Sequence, residues 1–397
     1  LTLVILPVFY LFFSSFSFKT IRMRKSMIFS FLLMVGIFCF LPVRARQQIS
    51  LKDAIGRALS QNLSIRSSEY SLKMQQALVG ASVDIPKTEI SGEYGQISSY
   101  SKDNSFDVSQ SFAFPTVYTN QKKLAGEHMK NAQLDLLKVK SDIATQVKRV
   151  YWNMVYLMEK QRLFQYEDSL IANFVKATEY RVKVGESKEL ELISARTQAM
   201  EVKNQIASLS SDLCIAQTKI QRLLNTTDVL FPMESALRPV AWQLFSAQES
   251  LSGNPVLKLI NQQVAVADAE KRLEASRGLP DFTFGFTSQT IRGIQDINGV
   301  ERFFGSGYRF NSARLSISVP LFYSSFKARN KAARLRALMA RNEVENYSHA
   351  VLTDYQMLLD EYVKQQNSVN YYHGQVVPEA ESIIKQSGES YRQGEIS

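Results

Sequence analysis

The chain has 397 residues, 45% apolar, with a net charge of +10, which is enough for one large or two medium domains. Removing residues 1–45 takes away five cations and no acid and leaves +5. That charge reads as mildly basic and spread out, without the basic block that marks nucleic-acid binding.

The first 45 residues read as an upstream extension and a signal peptide. A start at Met23 puts Arg24 and Lys25 ahead of an apolar run from Met27 to Leu41, with a cleavage site after Val43-Arg44-Ala45. The run is short for a retained anchor. Residues 1–22 then lie upstream of the native start, and their stretch Leu3 to Phe18 offers the rival reading of a first membrane segment. Cys39 lies inside the apolar run, preceded by Ile37 and Phe38 rather than the small residues of a lipidation site. Cys214 is then the one mature cysteine, so no intramolecular disulfide forms.

A first unit spans 46–245. It opens with a short helix from Ile49 to Asn62, apolar at Leu51, Ile55 and Leu59, and a further helix to about Val83 that Pro86 ends. Period-two alternation follows over 87–114. Ile90 and Tyr94, then Phe106, Val108, Phe112 and Phe114, alternate with Ser, Glu and Asp, which is the pattern of a β-hairpin with one apolar face. Pro115 closes it at a position suited to the first turn of a helix.

From 118 to 182 the chain reads as one very long amphipathic helix. Leu136, Val139, Ile143, Val147, Val150, Met154 and Leu157 step by threes and fours, and neither Pro nor Gly intervenes between Gly126 and Gly185. At 1.5 Å per residue it spans on the order of 90 Å, more than one globular core can cover, so it packs along other long helices. Gly185 breaks it, and a return helix runs over 188–224. Residues 225–245, with Pro232 and Pro239, form a connector.

The second unit, 246–397, restates the first. Asn254-Pro255 caps a helix, Pro280 ends it, and Phe282, Phe284 and Phe286 alternate with small polar residues. A Gly-rich loop follows, then alternation at Leu315, Ile317 and Val319 to Pro320, giving a hairpin over 281–319. Val344, Tyr347, Val351, Tyr355, Leu358 and Tyr362 then repeat the long-helix stripe, 208 residues beyond Leu136. Gly374 and Pro378 are expected to weaken or kink this second rod. The return helix has no counterpart before Ser397, so the second repeat reads as truncated.

The fold class is therefore mostly α with two β-hairpins in a duplicated frame. Two amphipathic hairpins give four strands, which cannot close alone; three copies give a twelve-stranded membrane barrel. Tyr94, Tyr100, Phe303, Phe304, Tyr308 and Phe310 near the strand ends suit interfacial girdles. The same alternation fits a soluble sheet packed on helices with the three Phe as core. The secretory signal and the helix length favour the membrane.

The ordered set of Leu51 to Asn62, Asn254-Pro255, the junction prolines Pro86, Pro115, Pro280 and Pro320, and the two Gly-Glu turns at Gly185 and Gly394 resembles the TolC family of outer-membrane efflux proteins. The resemblance implies a homotrimer, a barrel in the outer membrane and a helical tunnel across the periplasm. It also implies partnership with a periplasmic adaptor and an inner-membrane efflux pump. It makes the Gly185 and Gly394 turns a periplasmic tip, with Lys183, Glu186, Ser187, Arg392 and Glu395 as adaptor contacts. Alternatives are a type I protein-secretion channel, a periplasmic coiled-coil adaptor and a cytoskeletal rod.

No catalytic, cofactor or metal constellation is legible. Met154 and Met158, one turn apart, read as core rather than a soft-metal site. His128, His349 and His373 lie far apart, without metal-ligand spacing. Gly305 to Gly307 is a loop, not a phosphate cradle. Asp103, Asp107, Asp281 and Asp296 read as solvated strand-end residues with scope to tune pore charge.

Overall fold

The computed structural model describes residues 47–237 and 246–393. The signal-peptide reading, Cys39, Pro239, Gly394 and Glu395 lie outside the described residues. From Gln48 onward the chain forms one compact unit.

The elements run β1 (Gln47–Ile49), α1 (Leu51–Gln61), α2 (Leu63–Gly80), β2 (Glu89–Gly95), β3 (Asp103–Phe112), α3 (Pro115–Lys183) and α4 (Glu189–Leu224). After these come β4 (Leu230–Pro232), α5 (Ala247–Gly253), α6 (Pro255–Ser276), β5 (Asp281–Gln289), β6 (Gly293–Ile297), β7 (Val300–Phe304), β8 (Phe310–Ser318) and α7 (Ser324–Tyr371). A π-helical turn (Tyr372–Val376) leads into α8 (Val377–Gln393).

Local chemistry sets the boundaries. The Ser50 hydroxyl accepts from Asp53 N–H at α1, and Asn254 Oδ1 accepts from Val256 and Leu257 at α6, ahead of Pro255 at the first helical position. Asn62 does two jobs. Its Oδ1 caps α2 at Ser64 and Ile65, while its Nδ2 donates to Leu223 C=O at 2.9 Å and ties α2 to the end of α4. α2 stops at Gly80, short of Val83.

α3 runs 69 residues, about 100 Å at helical rise. It packs against α4 on one side and α6 on another, and α6 in turn packs against α7. The core lies where α1, α2 and α4 meet the middle of α3. Val147, Tyr151, Met154 and Val155 are buried there with Ala54, Ala58, Leu213, Ile220 and Leu224. Met154 is thus core, and Met158 packs against it. In α1 the buried centre is Ala54 and Ala58, with Leu51, Ile55 and Leu59 flanking it.

Tyr151 locks this core to the two short strands. Its hydroxyl contacts the Glu234 carboxylate, donates to Ile49 C=O at 2.9 Å and accepts from Met233 N–H at 3.2 Å. β1 and β4 pair beside it.

The main sheet has the order β2-β3-β5-β8, all antiparallel. Strands of both units are therefore neighbours, β3 against β5. The Gly-rich loop is not wholly irregular as expected. It holds a second, two-stranded hairpin, β6-β7, turning at Asn298 (φ 60°) and Gly299 (φ 81°). An Asn-Gly pair with positive φ at both residues is the hairpin turn whose twist matches the strands.

The expected break at Gly374 and Pro378 takes a specific form. One π-helical turn, Tyr372–Val376, lets the rod continue past Gly374 into α8, with Pro378 in its first turn. Only Ala333 and Ala337 of α7 are buried. The second stripe, Val344 to Tyr362, has no return helix against it among the described residues, and Leu358 stays 66% exposed.

Candidate functional site

The sheet has one apolar and one polar face. Cross-strand register stacks Ile90 beside Val108 and Phe286, and Phe112 beside Phe282 and Ile317. On the other face lie Ser91, Asp107 and Thr287, then Ser109 and Arg314 flanking Gly285. The apolar face is bare: Phe284 is 54% exposed, Leu315 63% and Ile317 57%. The reading of Phe282, Phe284 and Phe286 as a soluble core does not describe this sheet, because helices do not cover that face. A soluble protein rarely leaves so large a contiguous apolar surface in water.

The polar face is a hydrogen-bonded ladder. Asp107 accepts from Ser105 at 2.9 Å and from Thr287, and Ser111 pairs with Thr283 at 2.8 Å. β2 and β8, the two edges, each have one strand neighbour in the sheet.

Among the strand-end acids, Asp103 departs from the solvated reading. It is buried, accepts from Ser99 at 2.7 Å and from Arg292 N–H at 2.8 Å, and meets the Thr290 hydroxyl at 3.3 Å. It staples the β2-β3 loop to the segment entering β6-β7. Asp296 accepts from Gly299 N–H at 2.6 Å and closes the β6-β7 turn, while Asp281 opens β5 exposed. The aromatic girdle also needs one correction. Tyr94, Tyr100, Phe303 and Tyr308 are exposed, but Phe304 is buried against the Tyr308 and Phe310 rings at 4.9 and 5.4 Å.

The junction prolines sit where helix and strand meet. Pro115 is the first residue of α3, Pro280 precedes β5, and Pro320 follows β8. Pro86 lies between α2 and β2, and its C=O accepts from Gln110 Nε2 at 2.8 Å.

At the far end of the helices, Gly185 (φ 82°) ends α3. Glu186 N–H bonds Arg181 C=O at 2.9 Å and Gly185 N–H bonds Val182 C=O at 3.1 Å, the paired bonds of a glycine C-cap. Lys183 and Glu186 are exposed on this turn, and the Ser187 hydroxyl bonds Glu191. Arg196 of α4 grips Glu179 at 2.7 Å; that bond holds the Glu179 carboxyl below its usual range.

One contact here was not foreseen. Tyr391 of α8 lies against the tail of α3. Its hydroxyl bonds Thr178 at 2.9 Å, and its ring lies 4.9 Å from Phe174 and 4.6 Å from the Arg181 guanidinium. Its C=O accepts from Arg181 Nη1 at 3.3 Å. Thr178 and Tyr391 are both buried by this clasp. The available signal was the recurrence of Tyr-Arg shortly before a glycine, at Tyr180-Arg181 and Tyr391-Arg392. Tyr391, next to the expected tip residue Arg392, makes this contact.

The whole arrangement has solved counterparts. The outer-membrane channel OprN aligns with a TM-score of 0.74 at 17% identity, over 89% of this chain and 85% of that one. The outer membrane protein VceC of Vibrio cholerae aligns at 0.69 with 15% identity, over 87% and 86%. The open-state MtrE outer membrane channel of Neisseria gonorrhoeae aligns at 0.60 with 17% identity, over 87% and 80%. No protein-family model and no curated protein matches the sequence. The chain thus has the fold of the TolC-like outer-membrane channels, mostly helical with a four-stranded sheet contributed by both units.

Proposed function

We propose that the chain is one subunit of a passive outer-membrane efflux channel. Three copies close a twelve-stranded barrel, and their helices form a periplasmic tunnel. A periplasmic adaptor and an inner-membrane pump deliver substrate to the helical tip. The observation that carries this reading is the four-stranded sheet with its apolar face bare, its polar face lined by Ser, Thr and Asp, and both edges open. In lipid, an apolar exterior is stabilising and unpaired edges are not tolerated, so the strands demand ring closure with further copies. A polar interior then holds water.

The tip completes the proposal. The Tyr391 clasp ties the end of the second rod to the first, beside the Gly185 turn. A partner engaging Lys183, Glu186, Ser187 and Arg392 would compete with that clasp and widen the tip. An adaptor would not need a sheet built from strands of both units, and a cytoskeletal rod would not need the sheet at all.

Expression with membrane fractionation and chemical crosslinking tests this. The expected product is a heat-dissociable trimer in the outer membrane that conducts ions in planar bilayers. Recovery of the folded chain as a soluble monomer would overturn it.

A further inference from the structure

The first turns of α7 form a run of cations without an acid among them. α7 opens with Lys327, Arg329, Lys331, Arg334 and Arg336 and carries no acidic residue before Glu343. All five are exposed, and the Arg336 contact with the Glu270 carboxylate is long at 3.9 Å. Beyond that point the sign reverses: residues 343 to 389 hold eight acids against two lysines. A rod that is basic at one end and acidic along the rest differs from a generally solvated helix face.

The basic end lies next to the sheet. Neighbouring elements add exposed Lys122 and Lys123 at the start of α3, whereas Arg277 at the close of α6 is paired with Glu274 at 2.6 Å. Asn120 Nδ2 donates to Arg272 C=O at 3.3 Å, and Tyr323 Oη sits 2.9 Å from where a Cβ on Gly278 would be. Those contacts bring the three helix ends to one level. Between the last apolar strand residues and Lys327 come Leu321 and Phe322, 86% and 88% exposed.

We infer that this collar binds the anionic headgroups of phospholipids in the leaflet that faces the periplasm. The inference rests on the channel reading, which sets the bare apolar sheet face in hydrocarbon. Lys327, Arg329 and Lys331 then fall within roughly 5 to 11 Å of axial rise from the start of α7, and a headgroup layer is about 5 to 8 Å deep. Helical side chains lean toward the N-terminus, here back toward the bilayer. Lys327 and Lys331, four apart, share one side, and Arg329 lies roughly opposite. The buried Ala333 and Ala337 mark the packed side of α7, and all three cations are exposed. Clustered cations beside a membrane surface attract anionic lipid, and salt weakens them.

The test uses the full chain, purified as the trimer and reconstituted into phosphatidylcholine vesicles with or without phosphatidylglycerol. Retained lipid is measured after detergent exchange, and ion selectivity in planar bilayers. The wild type is expected to retain phosphatidylglycerol over phosphatidylcholine and to lose the preference in high salt. K327Q/R329Q/K331Q is expected to lose it at about fivefold per neutralised cation. K364Q/K385Q, on the acidic stretch, is expected to keep it. Conducting trimers with equal retention of both lipids would overturn the collar alone. So would a triple variant that keeps its lipid preference and instead loses anion selectivity, which would make the cations a lumenal filter. Failure of the wild type to insert and conduct would overturn the channel reading and the collar with it.

Discussion

Single residues hold this fold at points where a polar group is buried. The Tyr151 hydroxyl is one. Burial first, then its bond to the Glu234 carboxylate, pushes the phenol above its ordinary value, so it stays a neutral donor. Tyr151→Phe should lower stability by about 1–3 kcal/mol, read in chemical denaturation, because the Glu234 carboxylate loses its hydroxyl partner. Glu127 is a second point. Lys130 first, then Gln262 of α6, hold its carboxyl below the usual 4.5. A depressed folded-state value means stability that is present at neutral pH and lost as pH falls below about 4.5 toward the folded value. Melting temperature should fall over that range in the wild type and fall less in Glu127→Gln. The Tyr391 clasp is the third. Tyr391→Phe removes one hydrogen bond worth about 0.5–1.5 kcal/mol, and Arg181→Ala removes a cation over a ring worth about 0.5–2 kcal/mol. Single-channel recording should show open time at the tip rising in both, with no change in trimer yield. Apart from the Glu127–Lys130 pair, three residues apart on one helix, none of these partnerships was legible, because each joins residues far apart in sequence.

At the scale of elements, much was legible because helix and strand periods are local. The stripe from Leu136 to Leu157 marks the buried face of α3, and alternation around Phe106 and Phe284 marks the strands. Met154 lies at the centre of that face, so Met154→Ala should cost about 2–5 kcal/mol in thermal or chemical unfolding. The short elements β1, β4 and α5 escaped, and so did two larger features. The β6-β7 hairpin hid inside a Gly-rich stretch, although Asn298-Gly299 between Ile297 and Val300 carried its turn chemistry. The cluster of cations opening α7 was diluted by averaging charge over the whole chain; a window of one helix face reveals it. The π-helical turn before α8 shows Gly374 and Pro378 absorbed by widening a turn rather than by ending the rod.

At the scale of the whole molecule, the proposed channel rests on the sheet. Phe284 lies mid-strand on the bare face. In the proposed barrel, Phe284→Arg should cost about 2–4 kcal/mol and reduce the yield of the heat-dissociable trimer. Thr283→Arg, on the polar face, should leave assembly intact and alter conductance. The opposite result, tolerance at Phe284 and loss of assembly at Thr283, would invert the sheet and remove the channel.

Sequence alone specifies the long helices, the four main strands, their order and the amphipathic face of each, because periodicity, prolines and capping residues act within a few residues of chain. It could not decide which apolar face is core and which is left bare, since Val147 and Phe284 look alike in a hydropathy pattern. The tertiary structure made that choice by covering one with α1, α2 and α4 and nothing comparable over the other. It also brought Tyr391 to Arg181 and β3 to β5, pairings that depend on how two distant units fold back together.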